Sequence, residues 1–303
     1  GSRTGRLGGR SGDLMINGET GLVGLLGNPV KHSLSPVMHN AALQAMDRNW
    51  RYLALPCCNE QLADVLNGLH AVGCRGLNVT IPHKQTVAAL CRDLSPLAQK
   101  LSAVNTLIPL ENGGWYGHNT DVEGFLAPLG AAGDWNGRHA VVLGYGGSAR
   151  AVVAGLQSLG LASITLVGRR ASGLDLFLQD MSTGEAPLTS CLNTDPSLPG
   201  LIGRSDLIVN TTPVGMDQHG TTEDVPLGTE IWTHLPETAT LYDLIYTPRP
   251  TRWLQLGASR GNRWIDGLEM LVQQGAASLR LWCQTDTVPV ETMRTAAETA
   301  LKP

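Results

Sequence analysis

The sequence predicts an α/β protein of two domains, and three observations carry that prediction. From Gly21 onward, short apolar runs alternate with stretches of helical spacing, as the crossovers of a mostly parallel sheet require. At His139 a second series of the same kind begins. A chain of 303 residues is also long enough to bury two cores.

Taken in order, Gly1-Ser2 reads as a cloning scar, and the Gly/Arg/Ser-rich residues 1–13 read as a flexible leader. The first series has strands at LVGLLG (22–27), RYLALP (51–56) and GLNVT (76–80). Amphipathic helices at SPVMHNAALQAM (35–46) and NEQLADVLNGLHAVG (59–73) separate them. SAVNTLI (102–108) reads as a further strand, and ENGGWYGHNTD (111–121) as a hairpin followed by a turn. The second series has strands at HAVVLG (139–144), SITLVG (163–168), SDLIVN (205–210) and LYDLIY (241–246). Residues 182–200, rich in Ser, Thr, Pro and Gly, read as dominated by loop. The run DGLEMLVQQGAASLRLW (266–282) is a strong helix pattern, with Leu268, Leu271, Val272, Ala276, Leu279 and Trp282 on one face.

Charge and composition narrow the function classes. With 22 basic and 26 acidic residues, the net charge of -4 gives no basic field, which argues against a nucleic-acid partner. No apolar run reaches membrane-span length, and the start lacks the hydrophobic centre of a secretory signal, so a soluble, cytoplasmic protein is expected. The six cysteines form no CxxC pair and are read as reduced packing residues. No histidine grouping suggests a metal site.

GLNVTIPHK (76–84) poses a question. Leu77, Val79 and Ile81 favour a strand, Pro82 stops the ladder, and a helix follows with Val87, Ala88 and Leu90 at helical spacing. Lys84 then falls in the helix's first turn, where a cation is disfavoured by about 0.3 to 1 kcal/mol. A solvated surface lysine is the plain alternative to a functional one.

HAVVLGYGGSARAVVAGLQSLG (139–160) is the stretch with the clearest mechanics. A buried strand runs into Gly144, Gly146 and Gly147, then Ser148 and Ala149 open an Ala-rich helix. Gly144, Gly146 and Ala149 fit the G-x-G-x-x-A turn, in which glycines let the backbone approach a pyrophosphate at a helix N-terminus. The alternative is a tight turn without a ligand. An acidic residue about 20 positions further on would suit NAD. The next strand ends instead in Gly168-Arg169-Arg170, and two guanidiniums suit the 2′-phosphate of NADP. A solvated arginine pair is the alternative here.

Several segments, in one order, resemble the shikimate dehydrogenases, including their quinate-using relatives. They are NPVKHSLSPVMHN, NVTIPHK, SAVNT, GHNTD, GYGGSARA, NTTPVGM, YDLIYTP and GLEMLVQQG, and the resemblance spans residues from about Leu22 to Trp282. It implies that Lys84 and Asp121 are the catalytic pair and that the substrate is a small polyhydroxylated ring acid. It also implies Ser33 and Ser35 at the substrate carboxylate, and Asn78, Thr80, Asn105, Gln274 and Tyr246 on the substrate side. Asn210, Thr211 and Met216 would wall the nicotinamide half of the cofactor, and Gly267 would also lie on the cofactor side. The implied reaction is reversible NADPH-dependent reduction of 3-dehydroshikimate to shikimate, on the route to chorismate and the aromatic amino acids. Family members that use NADP often read N-R-T where this chain has Gly168-Arg169-Arg170, which leaves NAD use open, as quinate remains open for the substrate. Arg249 has no role in this pattern, and the sequence leaves a homodimer open.

The residues agree about the chemistry. Ser33 and Ser35 stand just before Pro36, where their hydroxyls and the helix amides could converge on a carboxylate; N-capping is the alternative. Asp121 precedes an apolar helix, so capping is its alternative too. Asn78 and Thr80 alternate on one strand face at the end of the sheet. Oxidising an alcohol removes a hydride and a proton together, so a positioned base is required, and Lys84 oriented by Asp121 could serve. The expected architecture is an N-terminal α/β substrate domain of residues 14–119 with a C-terminal helix, 268–303, returning to it. A Rossmann NAD(P)-binding domain of residues 120–267 completes it, with the cleft between them.

Overall fold

In the computed structural model, which describes residues 15–183, 185–217 and 223–303, the described chain builds two six-stranded sheets. The expected leader, residues 1–13, lies outside the described residues. None of the described helices is long and apolar enough to cross a membrane.

The first sheet is made by β1 (Gly21–Gly27), β2 (Trp50–Pro56), β3 (Gly76–Val79), β4 (Asp93–Leu94), β5 (Thr106–Pro109) and β6 (Trp115–His118), in the order β2-β1-β3-β5-β6-β4. β1 runs parallel to β2 and β3, with Val23 opposite both Tyr52 and Gly76. β5 is antiparallel to β3 and β6, so the sheet is mixed rather than nearly all parallel. The hairpin expected at 111–121 is the β5–β6 pair. The strand expected over 102–108 starts only at Thr106, because Ser102 takes a left-handed conformation (φ 50°) that ends α4 (Pro96–Leu101). Asn105 is thereby left between helix and strand. Helices α1 (Ser35–Ala45), α2 (Leu62–Ala71) and α3 (Lys84–Leu90) also flank this sheet.

The second sheet is parallel throughout. Its strands β7 (His139–Leu143), β8 (Ser163–Gly168), β9 (Leu188–Leu192), β10 (Leu207–Asn210), β11 (Thr240–Asp243) and β12 (Arg263–Ile265) lie in the order β12-β11-β10-β7-β8-β9. This is the doubly wound order, and its switch point falls between β7 and β10. Helices α6 (Gly147–Gln157), α7 (Ala171–Met181), α8 (Leu198–Gly203), α9 (Thr229–Trp232) and α10 (Arg252–Ser259) provide the crossovers. The stretch 182–200 departs from expectation: it contains the edge strand β9 and the start of α8. The polar composition of LTSCL hides an edge strand that pairs on one side only and is half-buried.

Helix α5 (Asp121–Ala132) joins the two sheets, and α11 (Leu268–Cys283) and α12 (Val290–Ala300) close the chain. Leu268, Val272, Ala276, Leu279 and Trp282 of α11 share one core with Val23, Met38, Leu43 and Tyr52, so the chain end packs back on the first sheet. α5 faces both ways: Phe125 and Leu129 join the core of the second sheet, while Gly124 meets α11. A Cβ at Gly124 would stand 2.6 Å from the Met270 carbonyl oxygen and 3.0 Å from the Gln274 nitrogen. Only glycine allows this approach.

At the carboxyl ends of β10 and β11, Asp243 is fully buried. Asn210 Nδ2 (3.0 Å), the Ile245 N–H (3.2 Å) and Thr251 Oγ1 (2.9 Å) all donate to its carboxyl group. Burial still outweighs these donors and pushes the carboxyl up to about 7.

Two outcomes are expected. Gly124→Ala, which forces two helix backbones apart, should destabilise the chain by about 1 to 3 kcal/mol, read as a fall in Tm by calorimetry. An unfolded aspartate titrates near 3.9, so between about pH 4 and 7 the folded chain holds a proton that the unfolded chain has released. This group's stability contribution is therefore full below about pH 4 and lost as pH rises through about 7, by roughly 4 kcal/mol at most. Asp243→Asn cannot titrate, and its stability relative to the parent should rise across that window in denaturant unfolding. A flat difference would mean that the carboxyl is ionised throughout.

Candidate active site

The end of β3 is tied down before it delivers Lys84. The Thr80 N–H donates to the Leu26 carbonyl, the His83 N–H donates to the Thr80 carbonyl, and the buried His83 ring meets the Cys57 carbonyl at 2.6 Å. Lys84 is then the first residue of α3, as expected, and its carbonyl accepts from the Val104 N–H. Its Nζ donates to Asp121 Oδ2 at 2.8 Å, with the two side chains 17% and 11% exposed. A charge-assisted bond of about 1.5 to 3 kcal/mol outweighs the unfavourable helix end of about 0.3 to 1 kcal/mol. The solvated-lysine alternative is not what the fold builds.

Asp121 does not cap its helix. Thr120 holds the cap position, and the carboxylate turns away to Lys84 on one oxygen and to Asn105 Nδ2 on the other (3.1 Å). The Asp121 N–H donates to Asn119 Oδ1 at 2.9 Å. The two serines do not cap α1 either: Leu34 is the cap residue, without a side-chain bond. Ser33 Oγ instead accepts from the Ser35 N–H at 3.1 Å.

A cavity of about 200 Å³ opens over this pair. Ser33, Ser35, Asn78, Thr80, Asn105, Tyr246 and Gln274 all line it together with Lys84 and Asp121, and Ser148 and Gly267 complete its rim. Leu25, Leu244, Met270 and Leu271 form its apolar wall. The polar lining divides in two. Asn78 and Asn105 have their amides committed inside the protein, Asn78 to Tyr52, Asn105, Thr106 and Ser278 and Asn105 chiefly to Thr120 and Asp121. Among the described residues no side-chain partner occupies Thr80 or Tyr246, and burial raises the Tyr246 phenol above its ordinary range.

A second cavity, of about 500 Å³, shares Lys84 and Ser148 with the first and is lined by Tyr145, Gly146, Gly147 and Thr211. Its walls fit a dinucleotide. Gly144 has φ 102°, and a Cβ there would lie 2.5 Å from Thr211 Oγ1, which donates to the Leu143 carbonyl at 2.6 Å. A Cβ at Gly146 or Gly147 would meet nothing within 4 Å, so the start of α6 borders open space in this cavity. Ala149 is buried below them. A third cavity, of about 300 Å³, continues past Gly144 and Tyr145 to Arg169 and Asn193.

Some expected residues lie elsewhere. Arg170 is exposed at the head of α7 and is outside this third lining. Asn210 is fully buried, with Oδ1 accepting from the Thr212 N–H and hydroxyl and Nδ2 donating to Asp243 and Val214, so it braces the loop behind the cleft. Met216, whose N–H donates to the Pro213 carbonyl, is outside the linings of these three cavities. Gly267 is needed for packing as well, since a Cβ would lie 1.8 Å from the Leu244 carbonyl oxygen. Arg249 gains a partner in Asp266 Oδ2, at 2.5 Å. Sequence reasoning missed Ser278, although it stands four residues after Gln274 on the same helix face, and it missed Tyr145 and Asn193.

Comparison with known proteins identifies the family. The shikimate dehydrogenase substrate binding domain matches residues 25–107, and the shikimate 5'-dehydrogenase C-terminal domain matches residues 267–298. A shikimate dehydrogenase (NADP(+)) of Synechocystis sp. is 50% identical over 284 residues, covering 93% of this chain and 96% of the relative. The shikimate 5-dehydrogenase of Thermus thermophilus, solved in complex with NADP(H) and shikimate, superposes with a TM-score of 0.81 at 34% identity, covering 93% of this chain and 100% of that one. The shikimate 5-dehydrogenase of Listeria monocytogenes, solved with shikimate and NAD, gives a TM-score of 0.84 at 29% identity, covering 92% and 97%. The identity and coverage of the Synechocystis relative place this chain in the shikimate dehydrogenase family.

Proposed function

We propose that this chain catalyses the reversible NADPH-dependent reduction of 3-dehydroshikimate to shikimate. The observation that carries the reading is the Lys84–Asp121 pair, standing where a cavity lined by hydroxyls and amides meets the open glycine turn of a Rossmann sheet. Residues 14–119 with 268–303 act as the substrate-binding unit and 120–267 as the cofactor-binding unit.

The nicotinamide, when bound, supplies the hydride. Lys84, held by Asp121, gives a proton to the ketone oxygen as the alcohol forms and takes it back in the reverse direction. Ser33 and Ser35 present hydroxyls to the ring carboxylate, while Thr80, Tyr246 and Gln274 meet the ring hydroxyls. Asn78 and Asn105, with their amides committed inside the protein, set the shape of the floor. Closure of the cleft excludes water from the proton transfer. On the cofactor side, the amides at the start of α6 receive the pyrophosphate and Arg169 receives the 2′-phosphate.

The test is a spectrophotometric assay of the purified chain, crossing shikimate and quinate against NADP and NAD. Turnover favouring shikimate with NADP supports the reading; a preference for quinate or NAD replaces it with the dual-use alternative that the Gly168-Arg169-Arg170 ending leaves open. Lys84→Ala should lower kcat by about 10²- to 10⁴-fold while leaving NADP affinity nearly unchanged by fluorescence titration. Arg169→Ala should raise the KM for NADP by about tenfold or more and that for NAD much less, and equal losses would remove Arg169 from the phosphate.

A further inference from the structure

Below the floor of the substrate cavity lies a fully enclosed group of polar side chains: Tyr52, Asn78, Asn105, Thr106, Thr120 and Ser278, each at most 4% exposed. Its hydrogen bonds can be assigned direction by elimination. Asn78 Nδ2 faces the backbone carbonyl of Asn105 at 3.1 Å, and Asn105 Oδ1 faces the backbone N–H of Thr120 at 2.8 Å, so neither amide can be flipped. Tyr52 must then donate to Asn78 Oδ1 (2.9 Å), and Thr106 must donate its one hydroxyl proton to Asn105 Oδ1 (2.8 Å). The Ser278 and Thr106 oxygens are 2.7 Å apart and need a proton between them; with the Thr106 proton committed, Ser278 donates it, in preference to the Gln274 carbonyl at 3.1 Å. Asn78 Nδ2 donates to Ser278 Oγ at 3.0 Å, and the Thr120 hydroxyl is left to donate to the Gln274 carbonyl at 3.0 Å. Every bond from Tyr52 through Asn78, Ser278, Thr106 and Asn105 therefore points the same way, and the last, from Asn105 Nδ2, ends on Asp121 Oδ1 at 3.1 Å.

We propose that Thr106 and Ser278 are positioning residues for the Lys84–Asp121 pair, acting through this one-way buried chain of hydrogen bonds. The inference rests on the reading of Lys84 and Asp121 given above. Donors aligned head to tail polarise one another, and the chain ends on a carboxylate, where the last bond is charge-assisted. The Thr120 N–H sets the Asn105 amide, and the Thr106 hydroxyl, a second donor on the same Oδ1, polarises it, so that Nδ2 meets one Asp121 oxygen while the other is left for Lys84. Its far end is held rigidly. The Tyr52 ring stacks on the buried ring of His39 at 4.3 Å with 4° between planes, and the Ser35 hydroxyl, which lines the substrate cavity, lies beside the Tyr52 phenol. Thr106 and Ser278 do not line that cavity, so neither touches the substrate directly.

The experiment compares Thr106→Val, which keeps the shape and removes the hydroxyl, with Thr106→Ser, which restores it. The expected result is a fall of about tenfold in kcat for Thr106→Val, a KM for shikimate within about twofold of the parent, and recovery of kcat in Thr106→Ser. Parental kcat in a folded Thr106→Val, or a loss that Thr106→Ser does not recover, overturns the inference. If Thr106→Val fails to fold, Ser278→Ala decides in the same way: a selective loss of kcat supports the chain and parental kcat overturns it. Lys84→Ala, run alongside, separates the two readings. An inactive Lys84→Ala beside a fully active Thr106→Val sinks only the chain, whereas an active Lys84→Ala sinks the catalytic pair itself.

Discussion

The site depends on one side-chain amide. Asn105, released between α4 and β5, accepts from the Thr120 N–H just before α5 and donates to Asp121. Its position is fixed by the antiparallel strand that follows it, and β5 in turn pairs with the strand that leads to Lys84. The two charged residues are thus brought together by sheet pairing and helix entry rather than by any feature of their own. A buried amide with its donors and acceptors satisfied is costly to move, because each broken bond leaves a polar group without water.

The close approach of α5 and α11 supplies the second constraint. Gly124 lets α11 lie against α5, and this contact brings Gln274 and Ser278 over the start of α5. A helix from the far end of the chain thereby completes a site whose other polar residues come mostly from the first half. The rest of α11 is bound to the first sheet through Val272, Ala276 and Trp282, and Arg294 of α12 reaches back to Glu269. Apolar burial holds the helix, and the polar face is then set by rotation alone.

The cofactor side is built on different physics. There the features are those of the backbone: open space beside Gly146 and Gly147 at the start of α6, a left-handed glycine at Gly144, and Thr211 closing the turn from the neighbouring strand end. Asn210 and Asp243 brace the opposite wall from inside. Charge enters late, at Arg169, where an exposed guanidinium meets the end of the cleft.

By itself the sequence determined what depends on local pattern. The α/β class, the glycine turn at Gly144 to Ser148, the delivery of Lys84 at the head of a helix and four of the six strands of the parallel sheet (β7, β8, β10 and β11) follow from period and turn chemistry read over a few residues. The edge strand at 188–192 escaped because pairing on one side leaves little hydrophobic signal, and the helix expected over 268–303 is two helices because Gln284 turns left-handed (φ 51°) and ends α11 before α12 begins. Tertiary structure decided the remainder. It assigned Arg169 rather than Arg170 to the cleft and placed Asn210 behind the wall. It also turned Asp121 and the two serines away from capping, and joined Ser278 to residues 158 to 200 positions away. The physical reason is that a hydroxyl or amide can serve cap, core network or cavity equally well. Which it serves is settled only by the partner that packing brings within hydrogen-bond distance.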